Sequence, residues 1–567
     1  MVRHPFQKLC CIQPVDGEQP FLIAASGPVL STFDLRDGRL LSQWPQPGGK
    51  VTGGNGAATA NDGEDPPAKR RKVEVQPPAV LSKQTTDEPV DITSDGQKTE
   101  RKNAQSEASQ SANVSHIVAT SDGATVITAT TADKTIRVFD VRPGGVLGLQ
   151  SQRSMPKKVC GIVLTPDEKD ILVGDKFGDI YLLPLHPRED FVPKKVEQDQ
   201  PERAYGPAAS ELTVHTQGNL KALQQQRRQK TVPPRKEGPN FQLKLLLGHV
   251  SSLTDVAIAE VQDGLKRKQY ILSADRDEHI RVSRGVSQAH IIENYCLGHR
   301  EFVSKLCIAP WNPEYLVTGS AEPSLKVYHF STGRLLDEEL FDAAVRQDIN
   351  SVLSADDGER SVGRLAVSSI WPIHFTVAGN APHSRHPPHL LLVALEGLPI
   401  LLSYVLSEQG QLRHHHTLTL AGNVLDVGIG PALWDIVVSI DTVHKPGSVR
   451  VIRPEETPAT EAFETFELFS NISNDQNGSS EIENLVDGPE LRWEKTSLAM
   501  LLNDSALHCE IPDAPVEQPS KAENTYSVLG ETLYGLENVR KKRGLHVQED
   551  DAEDLGDDIS VAPHSTT

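Results

Sequence analysis

Residues 247–334 read LGHVSSLTDV…YILSADRDEHIRVSRG…YCLGHREFVSKL…YLVTGSAEPSLKVYHFSTGRLL and contain two Gly-His pairs, Gly248-His249 and Gly298-His299, about fifty residues apart. After each pair come an alternating apolar run, a second short run ending in small residues, an acidic turn and a third run of β-branched and aromatic side chains. Period-two alternation bounded by turn residues predicts strands, and this order of parts is the signature of a propeller blade. In the third runs IRVF, IRVS and LKVY, the residues Asp133, Asp277 and Glu322 each stand three places before the first apolar residue. That register pairs His249 with Asp277 and His299 with Glu322 as structural hydrogen-bond partners inside their blades.

The pattern recurs on both sides. Residues 1–45 hold KLCCIQ, FLIAAS, VLSTFDL and RLLSQW, four short strands that make blade one. Residues 113–185 supply blades two and three, with TIRVFD placing Phe139 in the tryptophan position of a WD strand. Residues 241–340 form blades four and five. Residues 341–510 supply blades six and seven with insertions, drawn from GRLAVSSIWPI, HLLLVALEGLPILLSYVL, GNVLDVGIGPALWDIVVSID and GSVRVIRP. The expected fold is all-β, a seven-bladed WD-repeat β-propeller with disordered insertions between blades. Residues 46–112, rich in Gly, Pro, Ser and charge, cannot bury enough surface to offset ordering, and 186–240 reads as a polar loop between blades three and four. In the C-terminal extension 511–567, Leu533, Leu536 and Val539 predict a helix over 532–543, ahead of an acidic disordered tail. The segment 2–12 is the candidate for a strand lent to the closing blade.

Charge narrows the function. With 57 basic against 77 acidic side chains, a net charge of −20, the chain repels a phosphate backbone unless its basic residues gather on one face. A primary nucleic-acid binder is disfavoured. Six cysteines without CxxC spacing and an N-terminus without a long apolar core point to a reducing, intracellular setting. No run of eighteen apolar residues occurs, so no membrane helix is expected. Lys69, Arg70, Arg71 and Lys72 follow a proline pair and read either as a nuclear-import signal, placing the protein in the nucleus, or as a solvated charge run. There is no G-x-S-x-G, Walker loop, H-E-x-x-H or glycine-rich turn for a nucleotide or methyl-donor cofactor. Catalysis and cofactors are therefore not expected. The histidines His383, His386, His389 and His414 to His416 lack Cys or acidic co-ligands, and no metal is expected.

The segment ADRDEHIRVSR packs Asp275, Arg276, Asp277, Glu278, His279, Arg281 and Arg284 into ten positions. Strand alternation sends Arg281 and Ser283 to the face opposite Ile280 and Val282, so Arg281 is expected to project outward. There it is either a recognition residue, whose planar fork binds a partner carboxylate, or one half of an intrablade salt bridge.

LGHVSSLTDV, ILSADRDEHIRVSR and YCLGHREFVSKL together resemble the WD-repeat, non-catalytic subunit of the eukaryotic tRNA (guanine-N7)-methyltransferase, in its fungal form. HPFQKL, ADKTIRVFD, PKKVCGIVLTPDEKDILVGDKFGDIYLLPL and YGLENVRKKR extend the likeness over most ordered segments. The resemblance implies a propeller scaffold that docks beside a separate methyltransferase subunit in a heterodimer and stabilises it, for N7-methylguanosine formation in the tRNA variable loop. It further implies that Arg276, Asp277, His279 and Arg281 touch that subunit. His279 departs from the lysine expected there, which shifts weight to Arg281. Lys157, Lys158, Lys266, Arg267 and Lys268 are either secondary tRNA phosphate contacts or solvated loop charge. Another reading is a nuclear substrate receptor of a cullin ubiquitin ligase, because Phe139-Asp140-Val141-Arg142 resembles the W-D-x-R end of adaptor-docking repeats.

Overall fold

The computed structural model describes residues 3–14, 19–45, 113–131, 133–187, 191, 217–228, 239, 241–264, 266–353, 365–373, 389–430, 435–453, 461–470, 491–512 and 528–541. Its described strands form seven four-stranded antiparallel sheets. The first strands, Phe6–Ile12, Val114–Ala119, Val159–Leu164, Leu253–Asp263, Val303–Ala309, Val367–Ile373 and Val424–Ile429, each pack beside the next, and the last returns to the first. The result is the expected seven-bladed ring. The second strand of each blade is buried on both faces along most of its length, as in Leu390–Leu395, because neighbouring blades cover it on either side, and only the outer ends of Lys266–Asp275 and Asn312–Ser320 emerge. Close approach between blades demands small residues. At Gly319 a Cβ would stand 2.4 Å from Val367 Cγ1 of the next blade, so any larger side chain forces the sheets apart.

Four boundaries differ from the sequence reading. Lys244–Gly248 is the outer strand of blade three, not the start of blade four, since it pairs with Asp179–Pro184 through Ile180 and Leu247. Leu247 joins Leu172 and Ile180 in one apolar cluster, and that burial fixes the strand at the blade edge. The stretch 186–240 therefore interrupts blade three rather than separating two blades, and it carries a helix, Gln217–Arg228. In blade seven the outer strands are Phe463–Ser470 and Leu491–Lys495, where Phe466, Leu468 and Trp493 are buried. The GSVRVIRP stretch instead folds back through a bridge between His444 and Ile452. The helix expected over 532–543 is split into Val528–Leu533 and a 3₁₀ turn, Leu536–Val539, with Gly535 between them. The Leu536 amide donates to the Glu396 carboxylate at 2.9 Å instead of continuing a helix.

Among the described residues no strand is lent across the seam. Phe6–Ile12 pairs inside its own blade with Phe21–Ser26. Closure comes from the helix Leu498–Leu507, whose Leu502 and Ala506 pack with Phe6, Phe33 and Phe463, the Phe6 and Phe463 rings stacking at 4.7 Å. Arg3 Nη2 donates to the Leu507 carbonyl at 2.9 Å, and the His4 amide donates to the Pro512 carbonyl at 3.0 Å. The insertion 46–112 and the tail beyond 541 lie outside the described residues, as does the run Lys69 to Lys72.

Candidate docking surface on blades three and four

The two Gly-His histidines are built into their blades. His249 Nδ1 lies 3.0 Å from Asp275 and its Nε2 2.7 Å from the Ser273 hydroxyl. The acceptor is Asp275, not Asp277 as the register implied. Asp275 sits opposite Leu253 at the end of its strand, whereas in blade five the residue in that place, opposite Val303, is Ser320. Serine carries no carboxylate, so Glu322, two residues on, reaches back to His299 Nδ1 at 3.0 Å while Thr318 takes Nε2 at 2.9 Å. Asp277 and Glu322 share a register position in turns of equal length, but in blade four the accepting carboxylate stands two residues earlier, at the strand end. Burial pushes the Glu322 carboxyl up. The His299 hydrogen bond, the Arg300 amide and Lys326 outweigh it and bring it down to about 2. Burial lowers His299, so a charged carboxylate faces a neutral imidazole.

Released from the histidine, Asp277 stands at the tip of a tight turn. Asp275 Oδ1 accepts the amides of Asp277 at 2.9 Å and His279 at 3.2 Å, and Glu278 takes a left-handed φ of 71°. Blade three repeats the device. Asp175 accepts the amides of Phe177 at 2.8 Å and Asp179 at 3.1 Å, with Gly178 at φ 97°. A glutamate in the place of a glycine stores backbone strain at this corner. By this equivalence Lys176 and Phe177 occupy the positions of Arg276 and Asp277.

The loops meet. The His249 amide donates to the Gly178 carbonyl at 2.9 Å, and the Arg276 amide donates to the Ser252 carbonyl at 2.9 Å. On this joined corner Val250 is fully exposed and Phe177 is 47% exposed, with Lys157 Nζ 4.0 Å from the Phe177 ring centre. Two exposed apolar side chains on joined loops that also carry Lys176, Arg276 and the exposed His279, with Lys157 over the Phe177 ring, have the composition of a protein-binding patch. Sequence reasoning missed Phe177 and Val250. Only the turn repeat DKFGD beside DRDEH, read as one motif, signalled Phe177.

Arg281 does not project freely. Its Nε donates to Ser283 Oγ at 3.0 Å and its Nη1 to the Gly248 carbonyl at 3.1 Å, tying blade four to the outer strand of blade three. Desolvation by burial lowers its pKa. Neither a salt bridge nor a fully outward fork describes it.

The five candidate phosphate contacts do not share a surface. Lys157 and Lys158 precede the first strand of blade three, at the Gly-His end of the blades. Lys266, Arg267 and Lys268 lie in the hairpin at the far end of blade four, where Lys268 pairs with Asp263 at 2.6 Å and Arg267 with Glu260 at 3.4 Å. Arg142 pairs with Asp140 at 2.8 Å in an exposed blade-end ion pair, and nothing favours an adaptor-docking role for it. Among the described residues no group of His, Cys, Asp and Glu has the arrangement of a metal site, and no helix is long and apolar enough to cross a membrane.

Comparison with known proteins joins these observations to a family. Residues 22–466 match the model described as tRNA methyltransferase TRM82 WD40 domain. The tRNA (guanine-N(7)-)-methyltransferase non-catalytic subunit TRM82 of Coccidioides immitis is 39% identical over 76% of this chain and 82% of its own length. That of Aspergillus clavatus is 36% identical over 95% of this chain and 98% of its own. Among solved structures, a chain described as U3-55K covers 81% of this chain and 94% of its own, with 11% identity and a TM-score of 0.44. By the extent of the match and the identity of its relatives, this chain belongs to the TRM82 WD40 family of tRNA methyltransferase subunits.

Proposed function

We propose that this chain is the non-catalytic subunit of a tRNA (guanine-N7)-methyltransferase, a scaffold that binds and stabilises a separate catalytic subunit as a heterodimer. The single observation that carries the docking part of this reading is the corner of blades three and four. There Val250 and Phe177 stand exposed beside Arg276, Asp277 and His279 on one rigid, doubly hydrogen-bonded platform. Exposed apolar anchors with a charged rim supply the contact area and the register of an interface. Arg281 supports that platform from beneath by holding Gly248. With a net charge of −20, the chain leaves most phosphate contact to its partner, and tRNA reaches the complex through the catalytic subunit.

The test is co-expression with a candidate methyltransferase subunit, followed by co-purification and a tRNA methylation assay. Native chain should form a stoichiometric complex that methylates tRNA. Val250→Asp and Phe177→Asp change exposed groups, so they should leave the melting temperature unchanged and weaken assembly by about tenfold or more. Assembly with native affinity in both variants removes the corner from the interface. Nuclear localisation through Lys69, Arg70, Arg71 and Lys72 is part of the same proposal. Replacing the four by alanine in a fluorescent fusion should move it out of the nucleus, and unchanged nuclear signal would dismiss the import role.

A further inference from the structure

The C-terminal segment does not end at the seam it helps to close. Leu529 and Leu533 pack with Val443 and Ile452, and Gly530 lies so close to Val449 that a Cβ would come within 2.3 Å of its carbonyl oxygen. The Tyr534 hydroxyl donates to Asp441 Oδ2 at 2.5 Å in blade seven. The Leu536 amide meets Glu396 of blade six, while Leu536 and Val539 lie on Phe302, Ala321 and Ala366 of blades five and six. Arg540 pairs with Glu301 at 3.1 Å, its guanidinium carbon 5.8 Å from the Phe302 ring centre. Last, Lys541 Nζ reaches Asp277 at 3.0 Å and Glu278 at 3.6 Å on blade four. The strap thus spans four blades and stops on the corner described above.

Its last contact changes the charge of that corner. Without Lys541, the blade-four turn presents Asp277 and Glu278 beside Arg276 and His279, a mixed surface. With Lys541 in place its single positive charge offsets one of the two carboxylates, and the cations Lys157, Lys176, Arg276 and Lys541 outnumber Asp277 and Glu278 on the corner that carries Phe177 and Val250. Arg276, half-buried at this rim, makes no ion pair among the described residues, so the outer part of its guanidinium can meet an incoming acceptor. Both features call for carboxylates. We propose that the C-terminal strap is a working part of the docking surface: through Lys541 it holds the 275–279 turn and makes the corner cationic, so that it takes a catalytic-subunit segment bearing carboxylates next to apolar side chains. This rests on the proposed function, which it deepens by naming the partner's chemistry.

Two measurements on the full chain decide it. Hydrogen exchange of the Asp277 to His279 amides, read without any partner, should quicken severalfold in Lys541→Glu. Unchanged exchange overturns the bracing role whether or not a catalytic subunit binds. Titration of the catalytic subunit should then show Lys541→Glu binding about tenfold more weakly at low salt, with the gap closing as salt rises. Equal affinity overturns the charge role, and tighter binding shows that the strap competes with the partner. A native chain that fails to bind at all counts against the proposed function, and the exchange result still stands on its own. Lys541→Ala, which removes the cation without adding a charge, should fall between native and Lys541→Glu in both measurements.

Discussion

Asp426 Oδ2 accepts the backbone amide of Leu9 at 2.9 Å, joining the first strand of blade seven to the first strand of blade one across 417 residues of sequence. The same contact recurs inside the ring, where Asp255 Oδ2 accepts the Leu306 amide at 3.0 Å between blades four and five. Each aspartate also faces a lysine, Lys8 at 3.6 Å and Lys305 at 3.8 Å. The seam is thus stitched like an internal junction, which explains how the ring closes without a lent strand. Removing either carboxylate leaves a buried amide unpaired, a cost of about 1–3 kcal/mol. Asp426→Ala and Asp255→Ala should therefore lower the melting temperature by similar amounts, followed by circular dichroism. A native-like melt for Asp426→Ala alone would mean that the seam is held by the C-terminal helix without this bond.

Tyr534→Phe should loosen the strap at its root. The hydroxyl donates to Asp441, which also accepts the Val443 amide at 2.7 Å and His444 Nδ1 at 2.5 Å, all in a buried site. Losing one hydrogen bond to a charged acceptor costs about 1.5–3 kcal/mol. Faster proteolysis within residues 528–541 is the expected readout, with the blades still protected. Native-like resistance would show that the apolar contacts of Leu529 and Leu533 are sufficient.

Acid should unfold the chain in a defined order. Burial lowers His299, so a denatured chain takes up its proton first and stability begins to fall below about pH 6.5. Asp441 and Glu322 are each held at about 2, Asp441 against burial by His444, Tyr534 and the Val443 amide. Depressed carboxylates stabilise the fold above their ordinary values, so this contribution is present above about pH 4.5 and is lost as pH falls toward 2. Each is worth up to about 2–3 kcal/mol. Denaturant midpoints at pH 7, 5, 4 and 3 should drop for the native chain and drop less for Glu322→Gln. Parallel curves would rule out Glu322 as a source of the acid sensitivity.

His249→Ala and His299→Ala separate structure from recognition. Both rings are enclosed and bonded within their blades, so each change leaves a buried carboxylate and hydroxyl short of a partner. Stability should fall by about 2–4 kcal/mol in either variant, while folded protein keeps native affinity for the catalytic subunit in His299→Ala. A stable His299→Ala that fails to bind would give the histidine a recognition role.

What the sequence made legible was the repeat. Alternating apolar runs and the Gly-His pairs specify blades, because each strand's pattern is decided by burial between neighbours. The alignment also carried the His299–Glu322 pair. It failed at Asp275 because the two turns have the same length, yet in blade four the carboxylate that matters stands two residues earlier, at the strand end. Strand alternation placed Arg281 on the same face as Ser283, yet it could not show that the outer strand of blade three covers that face. Lys244–Gly248 is separated from its pairing strand Asp179–Pro184 by an insertion of some sixty residues, and no local period spans such a gap. The contact of Lys541 with Asp277 was invisible for the same reason, since they stand 264 positions apart and only the folded strap brings them together.

The central claim is that this chain activates a separate methyltransferase by holding it at the corner of blades three and four. The most direct measurement is methyl transfer to guanine N7 of tRNA by a purified catalytic subunit, titrated with the native chain and with Val250→Asp. Native chain should raise the rate in a saturable manner, and Val250→Asp should need about ten times the concentration to reach the same plateau. A rate that is indifferent to the native chain, or that responds identically to both proteins, contradicts the account.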